Sequence, residues 1–93
     1  MIKNKTYNRE FIYNFVNELK IRNISVEIEL KKGSLIIEQF TPDFFLVEHL
    51  YKNDILGMTI YGHKITSKNF SYAFQDNCLV ITYTNGKINV IPL

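Results

Sequence analysis

The spacing of apolar residues changes after the first 21 residues of this chain, and that change constrains the fold more than any other feature. Over residues 8–21 the apolar residues recur every three to four positions, as they do on one side of a helix. From Ile24 onward the dominant period is two, which is typical of strands with one buried face. The order predicts an N-terminal helix followed by an antiparallel sheet, an α+β fold.

The N-terminal helix is predicted over residues 8–21. Its apolar stripe consists of Phe11, Ile12, Phe15, Val16 and Leu19. Thr6 or Asn8 would cap the start of the helix, and Arg22-Asn23 would end it.

A hairpin is predicted next, with strands at residues 24–30 and 35–40 joined by a turn at residues 31–34. Symmetric closure gives the pairs Leu30–Leu35, Ile28–Ile37, Val26–Gln39, Glu29–Ile36 and Glu27–Glu38. Glu27, Glu29 and Glu38 then share the solvent-exposed face, where like charges across a strand pair are unfavourable. This acidic patch is a candidate contact for a basic partner, and a solvated face neutralised by nearby lysines is the plainer interpretation.

The middle of the chain begins with a helix-start signal, Thr41-Pro42-Asp43, with Thr41 as the cap and Pro42 at the first helical position. Residues 44–52 are predicted as a short helix, although the Phe-Phe-Leu-Val run fits a buried strand equally well. A further strand is predicted over residues 57–65.

Two turn signals divide the C-terminal third into three strands, at residues 69–75, 78–84 and 87–91. Asn85-Gly86 is typical of a two-residue type I′ turn, and Asp76-Asn77 fits a second one. The predicted core face consists of Phe70, Tyr72, Phe74, Leu79, Ile81, Tyr83, Ile88 and Val90. The predicted outward face consists of Asn69, Ser71, Ala73, Val80, Thr82, Thr84, Lys87, Asn89 and Ile91.

With 93 residues, the chain is expected to form a single domain spanning residues 1–93. The predicted architecture is an N-terminal helix and a second short helix packed on an antiparallel sheet of about five or six strands. The sheet ends in the three-stranded meander described above.

Catalytic, metal and phosphate sites find little support in the residue spacing. Cys78 could form a thiolate–imidazole pair with His49 or His63, but it begins a predicted core strand without the cationic neighbours that would favour the thiolate. His49, His63, Cys78 and Asp76 lack the spacing of metal ligands, and no two glycines have phosphate-loop spacing. We therefore expect no enzymatic activity, no cofactor and no metal.

The outward face of the meander is the strongest functional candidate. From Asn69 to Leu93 only Asp76 and Lys87 carry charge, and both lie at turns. A solvated sheet face normally carries more Lys and Glu, so this face fits docking onto another protein or a second copy. Coverage by another element of the chain is the alternative. The predicted contact residues are Ser71, Ala73, Val80, Thr82, Thr84, Asn89 and Ile91, with Glu27, Glu29 and Glu38 as a second patch.

These features predict a small non-enzymatic module that docks onto a partner protein or forms a homodimer, as inhibitors, immunity factors and anti-defence (anti-CRISPR-like) proteins do. The alternative is a nucleic-acid-binding module that uses a lysine and aromatic patch at residues 61–68. Tyr61, His63, Lys64 and Lys68 would form that patch. A net charge of +2 and only two arginines favour the protein-binding hypothesis.

Residue usage indicates the kind of organism from which the chain comes. The chain has 13 isoleucines, 10 asparagines and one alanine, a bias typical of low-GC bacteria and their phages or plasmids.

The N-terminal segment has basic residues but no apolar region behind them, so a signal peptide is not expected. No stretch is long and apolar enough to predict a membrane span. The expected location is the cytoplasm.

Overall fold

The computed structural model describes residues 8–30, 36–52, 55–65 and 70–93, with only the backbone of residues 36–40. Across these ranges the chain forms α1 (Arg9–Ile21), β1 (Val26–Leu30), β2 (Ile36–Phe40), α2 (Phe44–Lys52), β3 (Ile55–Ile60), β4 (His63–Ile65), β5 (Phe70–Gln75), β6 (Cys78–Tyr83) and β7 (Ile88–Pro92). The strands form two antiparallel sheets, ordered β2-β1-β3-β4 and β5-β6-β7. The predicted α+β class is confirmed, whereas the predicted single sheet of five or six strands is wrong.

The first helix forms where the apolar spacing predicts it. The Asn8 side chain accepts a hydrogen bond from the Phe11 backbone N–H at 2.8 Å, so Asn8 is the N-cap. The other predicted cap, Thr6, lies outside the described residues. Arg22 closes the helix, and Asn23 adopts the left-handed conformation with φ of 60°. The apolar stripe is turned inward, because Ile12, Phe15, Val16 and Leu19 are buried.

Replacing Asn8 by Ala is expected to lower the free energy of unfolding by about 1 kcal/mol, because the Phe11 N–H loses its acceptor. Asn8→Asp should retain nearly all of the stability, since its carboxylate accepts the same bond and faces the positive end of the helix dipole. Urea unfolding of both variants would check this. Equal stability of the Ala variant and the wild type would contradict the role of the cap.

The first hairpin follows the predicted register only in its middle. Ile28 pairs with Ile37 and Glu29 with Ile36, as expected. Val26 pairs with Phe40 rather than with Gln39, because a bulge interrupts the ladder between Val26 and Ile28. The predicted turn at residues 31–34 lies outside the described residues.

The predicted strand at residues 57–65 is instead a hairpin of β3 and β4. Tyr61 and Gly62 both have positive φ, 47° and 80°, and they form the two-residue turn between the paired residues Ile60 and His63. Tyrosine is unusual in this conformation, which is why the sequence pattern does not predict the turn. The strained conformation of Tyr61 is offset because the turn pairs Met58 with Ile65 and both side chains are buried.

The second helix confirms the helical interpretation of residues 44–52, with Leu46, Val47 and Leu50 buried. Its start lies later than predicted. The Asp43 carboxylate, rather than Thr41, accepts a hydrogen bond from the first turn, from Phe45 N–H at 3.0 Å.

The β5–β6 hairpin has the predicted register. Gln75 pairs with Cys78 across a turn in which Asp76 and Asn77 have φ of 53° and 60°. Positive φ at both positions is the signature of the predicted type I′ turn.

The β6–β7 register is displaced by one residue from the prediction. Thr82 pairs with Ile88 instead of Asn89, because the turn contains three residues rather than two. Gly86 N–H donates to Tyr83 O at 2.9 Å and Tyr83 N–H donates to Lys87 O at 2.8 Å. Of the two predicted turn residues, only Gly86 has positive φ, at 91°, as in a type I turn followed by a glycine bulge.

That displacement turns β7 over, because a shift of one residue exchanges the two faces of a strand. Ile88 and Val90, predicted in the core, are 60% and 51% exposed. Ile91, predicted on the outward face, is fully buried, and Asn89 is half-buried.

The core lies between the helices and the inner faces of the two sheets. The Phe15 ring centroid lies 5.4 Å from that of Phe70 and 4.9 Å from that of Tyr72, so α1 packs against β5. Asn89 Nδ2 donates to the backbone oxygen of Lys64 at 3.1 Å, which ties β7 to β4 of the other sheet. One face of each sheet is therefore covered, and the opposite faces point outward.

Candidate functional site

The outward side of the β5-β6-β7 sheet forms an uncharged surface, which we call the outer face. Alternation along the strands places the following residues on it: Ser71, Ala73, Gln75, Cys78, Val80, Thr82, Ile88, Val90 and Pro92. Cys78, Val80 and Thr82 on the central strand are half-buried by their neighbours, and the residues on both flanking strands are exposed. None of the nine side chains is Asp, Glu, Lys, Arg or His.

The side chains of the outer face differ in size between its two edge strands, with large aliphatic ones on β7 and small ones on β5. Strand pairing places Ala73, Val80 and Val90 in one row across the sheet, and Ser71, Thr82 and Ile88 in the next. The large exposed aliphatic side chains are thus on β7, whereas β5 contributes small ones at the same levels.

The predicted contact residues of the meander separate into three groups. Ser71, Ala73, Val80 and Thr82 lie on the outer face as predicted, and Thr84 is exposed in the turn beside it. The prediction is wrong for Asn89 and Ile91, which point inward because of the displaced β7 register.

Asn89 is used structurally, since its Nδ2 donates to Lys64 O and also to the Tyr83 hydroxyl at 3.2 Å. Five residues of the outer face were not predicted there: Gln75 and Cys78 beside the β5–β6 turn, and Ile88, Val90 and Pro92 on β7. The signal that would have found the three on β7 is Thr84-Asn85-Gly86, which fits a three-residue turn as well as Asn85-Gly86 fits a two-residue one.

The acidic patch lies on the outward side of the other sheet. Glu27, Thr59 and Lys64 form one row across β1, β3 and β4, and Glu29 is paired with Gly57. These residues line a cleft of about 210 Å³. The predicted third carboxylate, Glu38, belongs to β2, whose side chains are outside the described part of the structure.

Gly57 makes room for Lys64 in this cleft. A β-carbon at position 57 would lie 2.5 Å from Lys64 Cε and 3.3 Å from its Nζ, so the lysine chain crosses directly over the glycine. Glu27 and Glu29 are therefore accompanied by a cation on the same face, which offsets the repulsion between them.

The alternative lysine and aromatic patch is less favourable for phosphate. Tyr61 is exposed, but His63 is half-buried, and Lys64 shares its cleft with two carboxylates that weaken the local positive potential. Lys68 lies outside the described residues.

The neighbouring aromatic residues of β5 serve the core rather than a stacking platform. Phe70 is buried, and Tyr72 and Phe74 pack against the core. Burial raises the pKa of the Tyr72 phenol above its usual value, and the nearby Glu18 carboxylate raises it further.

A second surface, with two exposed aromatic rings that the sequence pattern did not predict as a site, lies between the two helices. Tyr13 and Phe44 are exposed with their ring centroids 6.5 Å apart. They border a cleft of about 180 Å³ that Val16 and Val47 line together with the polar residues Asn17, Lys20 and Asp43. Tyr13 lies beside the apolar stripe of α1, and Phe44 opens α2. A helical projection of both segments would have shown two aromatics left outside the buried stripes.

Within the described ranges, no group of three or more His, Cys, Asp or Glu residues is placed to hold a metal ion. Neither described helix has the length and apolarity needed to cross a lipid bilayer. No protein-family model matches the chain, and no curated protein or solved structure is significantly similar to it.

Proposed function

We propose that this protein acts by binding another protein through the outer face of the β5-β6-β7 sheet. The observation that carries the proposal is the exposure of Ile88 (60%) and Val90 (51%) on a face without charged side chains. Charged residues make up 22% of the chain, but none lies on this face, which is uncharged and carries exposed aliphatic side chains along β7. Depletion of charge around exposed large side chains is typical of the centre of a protein–protein contact.

The side chains of the outer face also suit docking because most of them are stiff. Val80, Thr82, Ile88 and Val90 are β-branched and have one dominant rotamer or few. Such side chains lose little conformational entropy when a partner covers them. Burial of the exposed aliphatic groups contributes roughly 25 cal/mol per Å².

The biological role that we propose follows from size and residue usage. A compact 93-residue module with no proposed chemistry of its own suits an inhibitor, an immunity factor or an anti-defence protein. The isoleucine-, asparagine- and lysine-rich composition favours the cytoplasm of a low-GC bacterium, with a phage or plasmid as the source of the chain.

Val90→Lys is expected to weaken capture of the partner at least tenfold, because docking would bury an unpaired ammonium group. The matched control is Asn14→Lys, which adds the same charge to an exposed position on α1. A second outer-face variant, Val80→Lys with Thr82→Lys, should also lose the partner while keeping the fold.

The measurement is quantitative capture from a low-GC bacterial lysate with each variant immobilised, after circular dichroism has established that each is folded. Capture of the same foreign protein in equal amount by the wild type and the folded Val90→Lys variant would overturn the proposal. Capture dominated by nucleic acid, with affinity falling steeply as salt is added, would support the alternative at Tyr61 and Lys64 instead.

A further inference from the structure

We infer that the outer face binds a second copy of this chain, with the two three-stranded sheets packed face to face about a two-fold axis parallel to β6. This inference rests on the proposed function, because it assigns the partner of the same face. It is carried by the charge pattern of the face and by the distribution of large and small side chains across it.

A two-fold interface demands a surface that does not repel itself. Each charged group near the axis would meet its own symmetry mate, and the like charges would oppose association. The nine residues of the outer face contain no ionisable group apart from the Cys78 thiol. The charged residues at the turns of this sheet, Asp76 and Lys87, are exposed, so water and salt screen them. Arg22, which closes α1, lies at the Gln75 and Cys78 end of the sheet, outside the face itself.

The shape of the outer face is complementary to itself in one orientation. A two-fold axis along β6 places β7 of one copy over β5 of the other. Val90 then lies over Ala73, and Ile88 over Ser71, because strand pairing places these residues in the same rows. Large side chains facing small ones allow two sheets to interdigitate.

The other face-to-face arrangement, with the axis perpendicular to the strands, fits less well. It would place β7 on β7 and β5 on β5, so that Ile88 and Val90 meet large side chains while Ser71 and Ala73 face each other across a gap. Voids of that kind forfeit packing contacts.

The size of the face predicts a weak dimer. Three strands about 4.8 Å apart, with five residues at about 3.3 Å each, cover roughly 15 by 17 Å, an area of about 250 Å². That area is well below the approximately 800 Å² that each partner buries in a standard stable interface. We therefore expect dimers that form at high protein concentration and dissociate on dilution.

Cysteine cross-linking tests both the dimer and its axis. In a Cys78→Ser background, Ala73→Cys and Val90→Cys proteins are prepared separately, mixed at high concentration and treated with a short bismaleimide. We expect a cross-linked dimer from the mixture and little from either protein alone. Val80→Cys, on the axis itself, should cross-link with its own copy, and Asn14→Cys on α1 should not.

Each departure from this pattern is decisive. Efficient cross-linking of Ala73→Cys protein with itself would overturn the axis along β6. A monomer mass in sedimentation equilibrium from roughly 10 μM to 1 mM, together with no cross-linking, would overturn the dimer. A dimer that Val90→Lys dissociates and Asn14→Lys does not would support it.

The failure of this inference is distinguishable from the failure of the proposed function. If the wild type stays monomeric while Val90→Lys still abolishes capture of a foreign protein, the second copy is the wrong partner and the outer face remains a binding site. If Val90→Lys changes neither the oligomeric state nor capture, both proposals are wrong.

Discussion

Replacing Ile91 by Asp is expected to lower the free energy of unfolding by about 3–5 kcal/mol, whereas Val90→Asp should cost about 1 kcal/mol or less. Ile91 is fully buried and pairs with the fully buried Leu79, so a carboxylate at position 91 would be held away from water without a partner. Val90 is 51% exposed on the outer face, where a carboxylate stays hydrated.

Urea unfolding followed by circular dichroism measures both variants. The comparison tests the β7 register directly, because the two-residue turn predicted from Asn85-Gly86 would bury Val90 and expose Ile91. A larger loss of stability for Val90→Asp than for Ile91→Asp would show that the two-residue turn is the one that forms.

Phe15→Ala is expected to destabilise the domain by about 3–5 kcal/mol, the range for truncation of a buried phenylalanine. Phe15 is fully buried, and its ring packs against those of Phe70 and Tyr72, where α1 covers β5. Its loss leaves a cavity at the contact between the first helix and the second sheet.

The matched control is Phe11→Ala, one turn earlier on the same helix. The Phe11 ring also contacts Phe70 and Tyr72, but Phe11 is only partly buried, so its truncation should cost less. Chemical unfolding measures the difference. Comparable losses for Phe11 and Phe15 would contradict the placement of the helix over the sheet.

Local signals were sufficient for the first helix and for the β5–β6 hairpin, whereas they left residues 44–52 open between a helix and a buried strand. In α1 the apolar stripe and the Asn8 cap lie within a few residues of one another, so the helix can be predicted from its own sequence. Asp76 and Asn77 are residues that adopt positive φ readily, so the turn they form and the register it sets follow from the same short segment.

Local signals failed where two turns fit the same residues. Around Asn85-Gly86 a two-residue turn and a three-residue turn are both acceptable, and they expose opposite faces of β7. The choice depends on distant partners. Ile91 fills the core beside Leu79, and Asn89 reaches Lys64 O on β4, a strand of the other sheet.

The division of the predicted strand at residues 57–65 into β3 and β4 is also a long-range property. Tyr61-Gly62 turns the chain, although tyrosine rarely has positive φ, because the turn lets Met58 pair with Ile65 and buries both side chains. Only the assembled sheet places Lys64 over Gly57 and beside two glutamates, which weakens the case for a phosphate-binding patch.

The absence of charge from the strands of the C-terminal third is a property of the amino-acid sequence, and it is enough by itself to distinguish these strands as a candidate binding surface. Which uncharged side chains face water was decided by tertiary packing. The physical reason is that charge is a property of each residue alone, whereas the exposed face of a strand depends on its register. That register is set by the free energy of burying Ile91 in a core that the whole chain builds, and by the hydrogen bond of Asn89 to Lys64 O at the edge of that core.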